Sequence, residues 1–103
     1  MNRNSIKISV VTPCFNSIHT IRETIQSVLD QNYGNYEHII YDGGSTDGTL
    51  EVLKSFSHLI WMSEKDEGHY HAMNKGIDRS SGELIVILNA DDCFLPHLSL
   101  IHI

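Results

Sequence analysis

Residues 84–92 have the sequence Leu-Ile-Val-Ile-Leu-Asn-Ala-Asp-Asp, in which five consecutive apolar residues are followed at once by polar ones. A continuous apolar run of this length is typical of a parallel strand that helices cover on both faces. In open α/β sheets, ligands bind beyond the carboxyl ends of such strands. We therefore expect Asp91 and Asp92 to face a cleft.

The two neighbouring carboxylates, Asp91 and Asp92, favour one kind of ligand. Carboxylate oxygens suit a hard divalent cation, so a metal is a better expectation here than a proton relay. The alternative is that one of the two residues caps the following segment or begins a turn, as aspartate often does. The stretch by itself leaves both interpretations open.

Length and composition narrow the class of protein. The chain has 103 residues, a length that fits one domain at most. Its formal net charge is −6 with histidine neutral. It has no cluster of Lys and Arg, so we expect no nucleic-acid partner. Cys14 and Cys93 are far apart and have no paired spacing, which favours a reducing compartment over a disulfide scaffold. With no signal peptide and no segment long enough to span a bilayer, a cytoplasmic location is expected.

Strand and helix patterns alternate along the whole chain. Alternation of this kind predicts an α/β fold with a mostly parallel, Rossmann-like sheet of about four strands and helices on both faces. The predicted order is strand 6–12, helix 17–31, strand 36–41, a helix carrying residues 50–56, strand 59–62, a helix carrying residues 70–77 and strand 84–88.

Three of the predicted strands end in polar groups, which should meet at one edge of the sheet. Gly43 and Gly44, which follow the predicted strand that ends at Asp42, would let the backbone approach a ligand closely. A tight turn alone would also require glycine there. Ser45, Thr46 and Asp47 are candidate N-caps for the helix that follows. The spacing matches neither a P-loop nor a GxGxxG dinucleotide motif. The three groups are Thr12, Pro13 and Asn16; Asp42, Gly43 and Gly44; and Asn89 to Asp92.

A series of motifs in the same order resembles the family 2 glycosyltransferases of the GT-A fold, especially those that build bacterial surface polysaccharides. The resemblance covers about nine tenths of the chain. It consists of residues 9–16 (SVVTPCFN), 27–33 (SVLDQNY), 37–49 (EHIIYDGGSTDGT), 66–68 (DEG), 72–76 (AMNKG) and 88–92 (LNADD).

The resemblance implies roles for these positions. Thr12, Pro13 and Asp42 would hold the nucleotide base, with Asn16, Gly44 and Asp66 also at the nucleotide site. The family's Asp-any-Asp motif binds ribose and a Mg²⁺ or Mn²⁺ ion. Its first position is Asn89 here, which can still bond a ribose hydroxyl, while Asp91 and Asp92 would carry nucleotide and metal contacts.

Two departures from the family pattern limit what the resemblance implies. His71 stands where related sequences often carry Asp, just before the AMNKG motif. The acceptor-binding half, with its general base, would lie beyond the C-terminus, so we assign no catalytic residue. We expect residues 1–97 to be a truncated donor-nucleotide half and residues 98–103 to be a non-native tail, with a natural short tail as the alternative.

The resulting hypothesis is an enzyme that transfers a sugar from a nucleotide-diphosphate sugar, most often a UDP-sugar, to an acceptor hydroxyl. By resemblance the reaction is inverting and serves cell-surface polysaccharide synthesis, with a glycan or lipid-linked acceptor at the inner face of the membrane. The fragment itself should bind nucleotide without turnover. The alternatives are a non-catalytic nucleotide-binding module and a nucleotidyltransferase, which would need a basic glycine-rich signature after the first strand.

Overall fold

The computed structural model describes residues 6–31, 33–65 and 68–91. Within them, four parallel strands form one sheet, which confirms the predicted α/β fold; they are β1 (Ile8–Cys14), β2 (Tyr36–Asp42), β3 (Ile60–Ser63) and β4 (Leu84–Ile87), in the order β3-β2-β1-β4. None of the helices in these ranges is long and apolar enough to cross a membrane. In chain order the helices are α1 (Ile21–Leu29), α2 (Thr49–Lys54) and α3 (His69–Arg79).

Strand β1 continues through Pro13, where the sequence predicted its end. Pro13 pairs in register with Tyr41 on β2, whereas pairing with β4 stops at Val11. The Cys14 carbonyl accepts from the Gly43 amide on the β2 side, so by alternation the nitrogen of Pro13 faces the side where β4 has already separated. A proline, which has no N–H to donate, is tolerated there without the loss of a ladder bond.

The helices cover both faces of the sheet, as predicted. On one face α1 and α2 bury a cluster in which Ile21 and Ile25 meet Ile40 of β2 and Leu53 of α2. On the other face α3 packs against β1 and β2. Its closest approach is at Gly76, where an added Cβ would overlap the side chain of Val11.

The prediction that β4 is covered on both faces is wrong. Ile85 and Ile87 are each 39% exposed and alternate with the more sheltered Leu84 and Val86. In the described sheet β4 is an edge strand that pairs with β1 alone, and α3, the helix on the face of Ile85 and Ile87, packs against β1 and β2. An apolar run does not distinguish a strand buried on both faces from an edge strand with one open face.

The ends of the helices also differ from the predictions. Helix α1 begins at Ile21, four residues after the predicted start, and α2 ends at Lys54, before Phe56. The N-cap residue of α2 is Gly48 in the left-handed region, and it has no side chain to form a capping bond. Of the candidate caps, Asp47 accepts a hydrogen bond from the amide of Thr49, the first residue of α2, whereas Ser45 and Thr46 bond Asn16 in the loop that precedes the helix.

Candidate functional site

An open cavity of about 1240 Å³ lies at the carboxyl edge of the sheet. The loops after β1, β2 and β4 all reach it, as the convergence of polar strand ends predicted. Of the predicted site residues, five line it: Pro13, Asn16, Gly44, Asn89 and Asp91. The remaining lining residues are Cys14, Phe15, Ser17, His19, Thr20, Gly43, Lys65, Gly68, Ala72 and Ala90.

Asn16 joins the first two loops of the cavity. Its backbone is in the left-handed region, with φ of 46°, a conformation that Asn tolerates better than most residues. Its side-chain oxygen accepts a hydrogen bond from the backbone amide of Thr46 at 2.9 Å, and its backbone amide donates to Ser45 Oγ at 2.7 Å. Asn16 therefore fixes the shape of the cavity rim.

A second pair of bonds reinforces this connection. The Ser17 amide donates to Thr49 Oγ1 at 2.9 Å, and the Ile18 amide donates to Asp47 Oδ2 at 3.1 Å. The hydroxyl and amide of Thr49 bond the other oxygen of Asp47. Hydrogen bonding, first of all from the Thr49 hydroxyl, holds the pKa of Asp47 below its usual range. The two loops thus form one hydrogen-bonded unit.

Asp42 is fully buried, and its carboxylate accepts hydrogen bonds from neighbouring groups of the chain. Oδ2 accepts from the amides of Gly44 and Ser45 at 2.9 and 2.8 Å and from Ser63 Oγ at 2.8 Å. Oδ1 accepts a short bond from the Ser45 hydroxyl. Asp42 is not among the residues that line the cavity. It organises the turn at Gly44, where φ is 92°, and a direct contact with nucleotide base does not follow from this geometry.

Thr12 is also fully buried and does not reach the cavity. Its Oγ1 shares a hydrogen bond of 2.8 Å with Nε2 of His38 on the neighbouring strand. The expected contact between Thr12 and the base, like that of Asp42, stays a prediction. Among the first group of strand-end residues, Pro13 and Asn16 are the two that line the cavity.

Cys14 lines the cavity but has the properties of a buried thiol. Burial raises its pKa to about 12, and the nearby charge of Asp42 adds to the rise. Its Sγ lies 3.5 Å from Asp42 Oδ1, to which the thiol donates weakly. A thiol with this pKa is a poor nucleophile at neutral pH. We therefore give Cys14 no chemical role.

The third wall of the cavity carries Asn89 and Asp91. Asn89 Oδ1 is buried and has no hydrogen-bond partner within the described residues. Buried polar atoms are nearly always bonded, so this oxygen has unused hydrogen-bonding capacity beside the cavity. Asp91 is exposed beside it. Asp92 and Asp66, also predicted site residues, lie outside the described residues.

Metal ligands in this region would be oxygens. The described residues contain no group of three His, Cys, Asp or Glu side chains that could hold a metal ion by themselves. They do place on the same cavity wall two residues that carry oxygen donors, an amide oxygen in Asn89 and a carboxylate in Asp91. These are the oxygen donors that a hard cation prefers, and they leave most of its coordination positions for ligand oxygens.

Phe15 and Lys65 line the cavity and were not singled out from the sequence. Phe15 is 60% exposed, which is high for a large apolar side chain. Lys65 is exposed on the loop after β3, where its backbone lies close to Gly44. The indication for Phe15 in the sequence is that this aromatic residue directly follows β1, which ends at Cys14. Nothing in the sequence pattern distinguishes Lys65.

The family model described as glycosyl transferase family 2 matches residues 9–101, and the chain belongs to this family. This result confirms the family inferred from the motifs. The chain spans about a third of the length of the first curated relatives it matches, since it covers 34% to 36% of them. One of these is TuaG of Bacillus subtilis, a glycosyltransferase named for teichuronic acid biosynthesis. It is 36% identical over 91 residues, which are 82% of this chain and 36% of TuaG.

Solved structures of glycosyltransferases share the fold. The mannosyltransferase PcManGT from Pyrobaculum calidifontis, in complex with GDP-Man and Mn²⁺, aligns with a TM-score of 0.81 and 26% identity. That alignment covers 87% of this chain and 29% of PcManGT. TarS 1-349 of S. aureus in complex with UDP-GlcNAc aligns with a TM-score of 0.76 and 26% identity, over 85% of this chain and 27% of TarS.

Proposed function

We propose that this chain is the donor-binding part of a glycosyltransferase that moves a sugar from a nucleotide-diphosphate sugar to an acceptor hydroxyl. The observation that carries the proposal is the buried acceptor Asn89 Oδ1, which has no hydrogen-bond partner among the described residues, beside Asp91 at the cavity of a family 2 chain. Such a pair suits the hydroxyls of a ribose and the metal-bridged oxygens of a diphosphate.

The size and lining of the cavity support a nucleotide sugar as the ligand. Its volume of about 1240 Å³ slightly exceeds the range of roughly 300–1,000 Å³ that is usual for small-molecule sites. The exposed ring of Phe15 offers a surface on which a flat base can stack. Since the solved structures of TarS and PcManGT are complexes with UDP-GlcNAc and GDP-Man, we propose a UDP-sugar first and a GDP-sugar second.

A divalent cation fits the same wall of the cavity, and we propose Mg²⁺ or Mn²⁺. Asp91 and Asp92 would hold it, with Asn89 as a neighbouring oxygen donor. A cation held by one or two carboxylates usually takes its other ligands from substrate phosphates and water, which agrees with the few protein ligands available here. When bound, the cation supplies Lewis-acid stabilisation to the departing diphosphate. The Mn²⁺ in the PcManGT structure supports this proposal.

The whole protein would use this site in an inverting transfer for cell-surface polysaccharide synthesis. The likeness to TuaG supports that setting. Its acceptor would be a glycan or lipid-linked sugar, in the cytoplasm at the inner face of the membrane. Since the chain spans about a third of its relatives, we propose that it binds donor nucleotide without turnover. Measurable product with a common acceptor would overturn that part.

Calorimetric titration of UDP and GDP into the chain, with Mn²⁺ and with EDTA, tests the proposed function. We expect binding that depends on the metal and that weakens at least tenfold in Asp91→Asn and in Asp92→Ala, because each loses a charged oxygen ligand. Asp78→Asn is the matched control, since it makes the same change at an exposed position of α3. Absence of binding to the folded chain by either nucleotide would refute the proposal, as would equal effects of Asp91→Asn and the control.

A further inference from the structure

Two hydroxyl groups of the first helical segment hold one carbonyl group at the cavity. Thr20 Oγ1 and Thr24 Oγ1 each donate a hydrogen bond of 2.9 Å to the carbonyl oxygen of Ala90. A carbonyl oxygen has two lone pairs, so these two bonds satisfy it fully. Thr24 is fully buried and Ala90 is 7% exposed, so the Thr24 bond is shielded from water, whereas the Thr20 bond is partly buried.

Thr20 forms its bond to Ala90 in place of the capping bond usual for its position, and Thr24 forms its bond to Ala90 in addition to its usual one. Thr20 is the N-cap of α1, yet its side chain forms no capping bond with the helix. Thr24 also faces the carbonyl of Thr20, the common partner of a helical threonine, but at 3.3 Å, which is longer than its bond to Ala90. Such departures from local preference are often found at functional sites.

Ala90 stands at the point where the chain leaves the sheet. The last bond from this segment to the sheet runs from the Leu88 amide to the Val11 carbonyl at 2.9 Å. Beyond it, Asn89 and Asp91 line the cavity on either side of Ala90. The two threonine bonds therefore fix the peptide group between Ala90 and Asp91, one peptide group away from Asn89.

We propose that Thr20 and Thr24 are positioning residues for the donor site, a role that rests on the proposed function. They hold the Ala90 carbonyl so that Asn89 and Asp91 keep their positions on the cavity wall. Neither threonine needs to touch the ligand through its hydroxyl for this role. The positions are 66 and 70 residues away from Ala90 in sequence, so the contact exists only in the folded chain.

Valine and serine variants separate the hydroxyl group from the shape of the side chain. Thr24→Val and Thr20→Val keep the β-branched shape and remove the donor, whereas Thr24→Ser and Thr20→Ser keep the donor. In titrations of UDP and GDP with Mn²⁺, we expect about fivefold to tenfold weaker binding for each valine variant and recovery for each serine variant. Ser27→Ala is the control, since its hydroxyl donates within α1 to the Thr24 carbonyl. Because Thr20 lies at the start of the helix, its variant provides the result if Thr24→Val fails to fold.

Nuclear magnetic resonance provides a readout that needs no nucleotide. We expect the carbonyl carbon of Ala90 and the amides of Asn89 and Asp91 to shift in the valine variants and to return in the serine variants. If wild-type chain binds neither nucleotide while these resonances shift, the proposed function fails and the positioning contact stands. Folded valine variants with unshifted resonances at Asn89 and Asp91 would overturn the positioning role, as would unchanged affinity for a nucleotide that the wild type binds.

Discussion

Asp42 and Asn89 are both polar residues at the carboxyl ends of strands, but the folded chain uses them differently. Asp42 is fully buried and accepts bonds from the Gly44 and Ser45 amides. Asn89 keeps a buried oxygen without a partner among the described residues, on the wall of the cavity. A carboxylate that already accepts several hydrogen bonds has little capacity left for a ligand. At the residue scale, hydrogen-bond capacity therefore distinguishes a residue that shapes the site from one that can bind.

His38 gives the chain a pH-dependent stability. Burial holds its pKa at about 3, well below the usual 6.5, and the nearby His58 adds to the effect. Above pH 6.5 His38 is neutral in both the folded and the unfolded state, so its contribution to the free energy of unfolding is fully present. As the pH falls below 6.5, His38 is protonated in the unfolded chain but stays neutral in the folded chain down to about pH 3. The free energy of unfolding therefore decreases over this range. We expect a loss of about 1.4 kcal/mol per pH unit at most from this group.

Urea unfolding of the wild type and of His38→Gln between pH 7.5 and pH 4.5 measures this contribution. Glutamine stays neutral and can still bond Thr12, so the free energy of unfolding of the variant should fall less steeply with pH. The same series on His58→Gln separates the contribution of His58, whose pKa burial also lowers. Parallel curves for the wild type and His38→Gln would contradict the assignment.

At the scale of elements, the contact between α3 and β1 depends on the absence of a side chain at Gly76. An added Cβ would overlap Cγ1 of Val11, which is fully buried in the central strand. Gly76→Ala should therefore lower the free energy of unfolding by about 1–3 kcal/mol, although alanine favours helix more than glycine does. Chemical denaturation measures the change.

Two variants test whether steric overlap is the cause. Val11→Ala in the Gly76→Ala background makes room for the new methyl group, so it should cost less stability than Val11→Ala does in the wild type. Gly34→Ala is the control, since an added Cβ there has no atom within 4 Å and its φ is not in the left-handed region. A Gly76→Ala variant as stable as this control would contradict the packing argument.

At the scale of the whole molecule, the exposed face of β4 is the part of the described surface most suited to self-association. Ile85 and Ile87 are each 39% exposed on an edge strand. Edge strands with apolar faces pair readily with other chains, and a lysine on such a strand opposes this. We expect Ile85→Lys to lower the apparent mass of the chain at high concentration, as measured by sedimentation velocity.

Glu83→Gln is the control for charge. It raises the net charge by one unit, as Ile85→Lys does, but leaves the apolar face intact. The control should therefore sediment like the wild type. Equal effects of the two variants would indicate that net charge, and not the face of β4, governs association.

The sequence by itself determined the order of elements, the parallel sheet and the edge at which the cavity forms. Apolar periodicity and glycine or proline signals act over a few residues, so they are legible along the chain. The placement of Asn89 and Asp91 on the cavity wall followed from the same pattern, because the carboxyl ends of parallel strands share one edge.

Only the tertiary structure decided which strand-end residues reach the cavity. Thr12 bonds His38, 26 positions away, and Ala90 accepts from Thr20, 70 positions away. The open face of β4 likewise depends on its place at the edge of the sheet. Such hydrogen-bond partners are determined by the packing of segments that are far apart in sequence. A local pattern gives the polarity of a side chain, but the group that satisfies it is fixed only when the segments meet.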